Sequence, residues 1–272
     1  MSKQILLNEI NFTKSVEIVP RKTNGFGDVE GDISIIADVV HAVTTPENPL
    51  GSPGIDPVVA TYIATAESDL IPIPHITPRD KNSLFIRSQV LTAVKLGIRN
   101  FFVVGGDPID PRFNSKEVRE LDTLGLIRAV KESVSLMKEN GQKILVGSAL
   151  NPFRANEESI SSAKLESGSS FFISQAIFSA EPIRTEWLRR RKFRLIAGFI
   201  PIWKKGQLDA VARMGSQIPS EYIRGVREAE DPAAFSSRAI REIIDDIKKE
   251  VDGVHIMPIG NVKLAREILE CV

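Results

Sequence analysis

The chain is poor in cysteine, in surplus charge and in long apolar runs, and each shortage excludes a class of protein. Its single cysteine, Cys271, cannot close a disulfide framework or build a cysteine-based metal site within the chain. A reducing compartment is the simple reading. Lys plus Arg and Asp plus Glu each number 35, a formal net charge of zero, which gives no electrostatic reason to expect nucleic acid or an anionic membrane as a partner. The local run Arg189-Arg190-Arg191-Lys192 reads as a solvated helix face. No segment approaches about 18 uninterrupted apolar residues, and the start of the chain lacks the charged and apolar regions of a signal peptide. A soluble, cytoplasmic protein is expected. No His-x-x-x-His or carboxylate spacing suggests a metal. Neither a Gly-x-Ser-x-Gly elbow nor a phosphate-cradling Gly-x-x-x-x-Gly-Lys is found.

What is present is an alternation of short β-branched runs with longer amphipathic segments, the pattern of a parallel sheet wrapped by helices. Eight strands are expected at 15–19, 39–43, 70–76, 100–104, 143–149, 170–175, 195–200 and 253–256. Several are apolar at nearly every position, as in Phe101-Phe102-Val103-Val104, which suits strands covered on both faces. Helices are expected at 56–66, 82–96, 123–140, 157–166, 181–191, 233–250 and 262–270, with Asn82 placed to cap a start and Gly97 and Gly141 placed at helix ends. The first crossover is faint, since a Gly-rich stretch from Asn24 to Gly31 leaves only 32–36. Eight such units favour closure into one (β/α)₈ TIM barrel spanning 1–272 as a single domain over an open doubly wound sheet.

With strands so placed, polar residues fall at or beyond their C-terminal ends, the face where barrels carry chemistry. They are Glu17, Thr44, His75, Asp107, Asn151, Gln175, Gln207 and Asn261. Glu17 stands among apolar neighbours in Val16-Glu17-Ile18-Val19-Pro20. Burial would raise its pKa and suit it to donate a proton, but an ion pair with a basic residue such as Arg79 would explain it equally. Asp107 follows Gly105-Gly106 and precedes Pro108, either a close-approach loop for a ligand or an ordinary turn. His75 reads as a hydrogen-bonded structural residue or as a catalyst.

Five segments resemble, in order and spacing, the methylenetetrahydrofolate reductase family. Val16-Glu17-Ile18-Val19-Pro20-Arg21-Lys22-Thr23 is similar to the family's Phe-Glu-Phe-Phe-Pro-Pro-Lys-Thr, and His75-Ile76-Thr77-Pro78-Arg79-Asp80-Lys81-Asn82 to its His-Val-Thr-Cys-Arg-Asp-Arg-Asn. Gly97-Ile98-Arg99-Asn100 followed by Gly106-Asp107-Pro108 resembles Gly-Ile-Arg-Asn and Arg-Gly-Asp-Pro. Phe171-Phe172-Ile173-Ser174-Gln175, with Lys164 before it, looks like Phe-Ile-Thr-Gln. Ala197-Gly198-Phe199-Ile200-Pro201-Ile202 looks like Pro-Gly-Ile-Met-Pro-Ile.

The resemblance implies flavin-dependent reduction of 5,10-methylenetetrahydrofolate to 5-methyltetrahydrofolate, a step of one-carbon metabolism that feeds methionine biosynthesis. It implies Glu17 as general acid, Asp107 as pterin contact and charge stabiliser, and Gln175 and Gln207 as substrate contacts. FAD would be held by Thr44, His75, Gly106, Asp107, Glu157 and Lys164. The sequence departs from the family at Gly105, where many members carry Arg, at Leu150, where an aromatic is usual, and at Asn261, where a basic residue is usual. These departures leave FMN, or no flavin, as alternatives to FAD. They also leave an electron-delivering partner protein as an alternative to NAD(P)H, and another pterin one-carbon carrier as an alternative substrate. Nothing in the sequence argues against a homo-oligomer.

Overall fold

The structure, a computed structural model, describes residues 6–137 and 143–272. Eight parallel strands close into a barrel in sequence order: β1 (Thr13–Glu17), β2 (Ala42–Thr45), β3 (Ile71–Ile76), β4 (Asn100–Val103), β5 (Leu145–Leu150), β6 (Phe171–Ala176), β7 (Arg194–Phe199) and β8 (Gly253–Ile256). The β1–β8 pairing, Thr13 with Gly253 through Val16 with Ile256, completes the ring. All eight expected strands are present, shifted by no more than a few residues, and β8 has the expected bounds.

Alternation along the strands sorts their side chains into two cores. Ala42, Ile71, Ile73, Phe102, Phe171, Ile173 and Ile196 form one cluster. Drawn from five strands at a spacing of two, they can meet only inside the barrel. Leu7 joins them from the N-terminal end, its amide donating to Asn100 Oδ1 at 2.9 Å. The alternate residues, among them Val16, Val43, Phe172, Leu195 and Val254, face outward against the helices. It follows that Glu17 and Ser15 on β1, Thr44 on β2, His75 on β3, Gln175 on β6 and His255 on β8 project inward.

The helices that cover the barrel are α1 (Gly27–Ile36), α2 (Pro57–Thr65), α3 (Ser83–Lys95), α4 (Thr123–Ser133), α5 (Glu157–Glu166), α6 (Glu186–Arg189), α7 (Leu208–Arg213), α8 (Ser220–Glu228), α9 (Pro232–Ile247) and α10 (Val262–Leu269). Asp56, Asn82, Asp122, Asp231 and Asn261 accept from first-turn amides and so mark five of the helix starts. Three expectations are corrected. The first crossover is a full helix that begins inside the Gly-rich stretch, because Val29, Ile33 and Ile36 bury one face despite the glycines at 27 and 31. The segment 181–191 is not one helix: a 3₁₀ turn at Glu181–Ile183 stops where Arg184 reaches across to Asp246 on α9 and to Glu250 just beyond it, and α6 is a single turn. Finally, α7 and α8 occupy a stretch in which no helix is expected from the sequence. The fourth helix ends at Ser133 and passes into a 3₁₀ turn to Leu136, while its expected end near Asn140 and Gly141 lies outside the described residues. Among the described residues no helix is long and apolar enough to cross a membrane.

Candidate active site

The inward residues at the C-terminal mouth converge. Glu17 ends β1 in register with Thr44, half-buried, and among the described residues its carboxyl has no hydrogen bond or ion pair. Burial, and then the charge of Asp107, raise its pKa from 4.5 to about 7. The pairing of Glu17 with Arg79 does not occur. Arg79, only 1% exposed, donates through Nε to Asp80 Oδ1 at 2.7 Å and through Nη1 to the Asp107 carbonyl at 2.7 Å. It therefore acts as a bracket under the Asp107 loop.

Asp107 itself is exposed at the mouth, and its Oδ2 accepts from the Leu50 amide at 2.9 Å. The turn before it requires glycine: Gly106 has φ +77°, and a Cβ there would stand 3.2 Å from Arg79 Cβ and 3.3 Å from Thr77 Cβ. Behind this turn the loops after β2 and β3 are locked by a buried cluster that sequence reasoning missed. Lys81 Nζ donates to both Glu47 oxygens at 2.6 Å and to Gln89 Oε1 at 2.7 Å, and Glu47 Oε2 also accepts from the Thr77 amide at 2.6 Å. The two charges stand 34 residues apart, so no local motif signals them.

Below the mouth, His75 lies against Phe102, ring centroids 4.9 Å apart. Burial, then the proximity of His255, drives its pKa down to about 3, so it is a neutral ring. His255, also unannounced by the sequence, is buried and neutral and meets Ser15 Oγ through Nδ1 at 2.9 Å. His75 Nε2 and Thr44 Oγ1 are buried with no hydrogen-bond partner among the described residues. These are two unpaired polar atoms on adjacent strands, Thr44 level with Glu17 and His75 two residues nearer the C-terminal end of β3, and such groups call for a polar ligand because they are costly when left unpaired.

A cleft of about 520 Å³ opens from the mouth between the loops after β4, β5 and β6, lined by Gly105, Leu150, Glu157, Lys164 and Gln175 among others. Glu157, 1% exposed, lies 3.2 Å from Arg154 and 3.7 Å from Lys164. Burial lowers the Lys164 pKa against the opposing pull of Glu157. At Gly105, where no side chain is available, Arg119 returns from the same loop and donates to the carbonyl at 3.1 Å.

The structure thus brings Glu17, Thr44, His75, Gly106, Asp107 and Gln175 to one mouth and places Glu157 and Lys164 in the adjoining cleft. Gln207 does not join them. Its Oε1 accepts from the amides of Trp203 and Lys204, each at 2.9 Å, and closes the turn before α7. Asn151 and Asn261 are likewise engaged locally, with the Phe153 and Leu264 amides.

The family model described as methylenetetrahydrofolate reductase matches residues 54–272. Methylenetetrahydrofolate reductase 2 of Schizosaccharomyces pombe is 26% identical over 232 residues, 75% of this chain and 35% of its own length, so the chain spans about a third of that curated relative. Among solved structures, a protein from Clostridium thermocellum that binds two copies of 5-methyl-5,6,7,8-tetrahydrofolic acid superposes with a TM-score of 0.70 at 14% identity, covering 100% of both chains. A thermostable aldo-keto reductase superposes at 0.58 with 13% identity, covering 96% of this chain and 89% of its own. At these identities both show the barrel fold alone.

Proposed function

The chain belongs to the methylenetetrahydrofolate reductase family, and from that premise we propose that it reduces 5,10-methylenetetrahydrofolate to 5-methyltetrahydrofolate with Glu17 as general acid. The observation that carries the reading is Glu17 itself. It lies upstream of the matched residues 54–272, so its role rests on geometry. An unpaired carboxyl at the barrel mouth, with its pKa raised to about 7, holds a proton near neutrality and can give it up there.

The residues suit a flavin. The unpaired His75 Nε2 and Thr44 Oγ1 offer hydrogen bonds to a polar ring at the mouth, and the missing Cβ of Gly106 lets a flat ligand approach the turn. The cleft beyond continues to Arg154 and Lys164, cations that favour a pyrophosphate, so FAD is our reading rather than FMN. A bound flavin supplies hydride. The chain's own groups do the rest. Glu17 protonates the bridging ring nitrogen of the substrate, the C–N bond opens to an iminium, and one hydride at the methylene carbon yields the N-methyl product. The Asp107 carboxylate stabilises the positive charge that develops on the pterin, and Gln175 holds the pterin edge. Solvent then returns a proton to Glu17.

Glu17→Gln tests this directly: folate reduction is abolished while the flavin absorption bands of the purified protein are unchanged. Full activity in that variant removes Glu17 from the acid role, and absence of flavin bands after reconstitution removes the flavin. For the electron source, turnover with NADH, NADPH and a reduced dye is compared. Dye turnover without nicotinamide turnover assigns the supply of electrons to a partner protein.

A further inference from the structure

The strand that carries Gln175 breaks its ladder at that residue. Between β6 and β7 the register passes from Ile173 opposite Ile196 to Ala176 opposite Gly198, so β6 holds one extra residue. Such bulges re-aim a side chain. Two neighbours build this one. Ser174 Oγ accepts from the Gly198 amide at 2.9 Å in place of a ladder carbonyl and donates to the Gln175 carbonyl at 2.9 Å. Gly198 permits the close approach, because a Cβ there would lie 2.3 Å from the Ser174 carbonyl oxygen. The Gln175 side chain, delivered into the mouth, is then held from the far side: its Nε2 donates to the carbonyl of Met214, at the C-terminal end of α7. The turn that presents this carbonyl continues through Gly215 at φ +90°.

A carbonyl oxygen can only accept, so the NH₂ end of the Gln175 amide must face Met214 and the choice between the two amide orientations is settled. Among the described residues no donor reaches Oε1, which remains for a ligand at the edge of the cleft that Gln175 and Met214 both line. We propose that the Met214 carbonyl is a positioning group that fixes Gln175 as a hydrogen-bond acceptor, so that this corner of the site selects ligands presenting a ring N–H or amino group to it. The inference rests on the folate reading above. A reduced pterin offers such donors along one edge, at its 2-amino group and at N8, and this is the edge assigned to Gln175; a fully oxidised pterin lacks the donor at N8.

The test measures dissociation constants on the flavin-loaded protein for 5-methyltetrahydrofolate and for its 8-deaza and 2-desamino-2-methyl analogues. Wild type is expected to bind at least one analogue about tenfold or more weakly than the parent, the consequence of leaving a desolvated acceptor unpaired. Gln175→Leu is expected to bind all three alike. Gly215→Ala, strained at a positive φ, is expected to shift the Met214 carbonyl and shrink the discrimination, with slow exchange of the Gln175 side-chain amide protons lost in its NMR spectrum. Equal binding of all three ligands by wild type, or discrimination surviving in Gln175→Leu, overturns the acceptor role. Unchanged discrimination and amide protection in Gly215→Ala overturns the role of Met214. Absence of any folate binding by wild type is a separate failure, that of the folate reading, and the amide protection then still tests the Met214 contact by itself.

Discussion

Arg79 grips Asp80, not Glu17: its guanidinium meets both Asp80 oxygens, Nε at 2.7 Å and Nη2 at 2.5 Å, while Nη1 supports the Asp107 carbonyl. The fork that could have neutralised the acid instead builds the loop beside it. This division of labour leaves Glu17 without a counter-ion and Asp107 on a rigid turn.

Removing the fork is therefore expected to act on the loop. Arg79→Met strips support from the Asp107 carbonyl and leaves Asp80, 27% exposed, with only the Asn48 side-chain amide, a loss of about 1–3 kcal/mol. Arg79→Lys keeps the charge but loses the two-pronged geometry and recovers only part of that. Urea denaturation of both variants checks the order. Equal stability of wild type and Arg79→Met removes the bracket role.

The raised pKa of Glu17 has a stability consequence of definite sign. Its carboxyl titrates near 4.5 when unfolded and near 7 when folded, so the folded state favours the protonated form. The penalty of ionising it is absent below 4.5, grows as pH rises between the two values and is complete above about 7. Glu17→Gln removes an ionisable group, so its melting temperature is expected to exceed that of wild type at pH 8 and to match it near pH 4.5. The reverse ordering at pH 8 contradicts a raised pKa.

Burial is the larger cause of that shift and the Asp107 charge the smaller. Asp107→Asn deletes only the second. The midpoint of Glu17 titration, followed by carbonyl-carbon NMR, is expected to fall below 7 yet stay above 4.5. A midpoint unmoved by Asp107→Asn separates the two carboxyl groups electrostatically. A midpoint at the ordinary value makes Asp107 the main cause.

How much of this was legible in the sequence follows from the range of the forces involved. The barrel was, because most strands are built on short apolar or β-branched runs whose burial is set locally, though β1 (Thr13–Glu17) carries one apolar residue, Val16; β8 could be bounded from Gly253–Ile256 alone. The first helix was obscured because glycines at 27 and 31 lower local propensity by roughly 1 kcal/mol each, and only the tertiary burial of Val29, Ile33 and Ile36 repays this. Glu17 stood out as a carboxyl in an apolar strand, but its lack of a partner did not, since that depends on where Arg79 points. The tie between Gln175 and Met214 spans 39 residues and is made by a backbone carbonyl, which has no side-chain signature. Gln207 shows the opposite limit: its position matches the resemblance, yet two backbone amides claim its acceptor.

The Glu47–Lys81 pair offers the sharpest energetic test, because its two charges are 7% and 8% exposed and joined by two contacts of 2.6 Å. Desolvation lowers the Lys81 pKa, and the Glu47 charge opposes that lowering. In such a pair the attraction largely offsets the cost of burying two charges, so the pair adds little net stability, whereas an orphaned charge costs about 3–5 kcal/mol. Lys81→Met is accordingly expected to be strongly destabilising, because Glu47 stays buried with only the Thr77 amide and the Gln89 side chain near it. The double variant Glu47→Gln with Lys81→Met is expected to be more stable than that single variant, since Gln at 47 retains an acceptor for Thr77 without a charge. A double-mutant cycle by denaturant titration measures the coupling. A double variant less stable than Lys81→Met would show that Glu47 stabilises the loops through the Thr77 amide even without a counter-ion, and would overturn the reading that the orphaned charge is what destabilises the single variant.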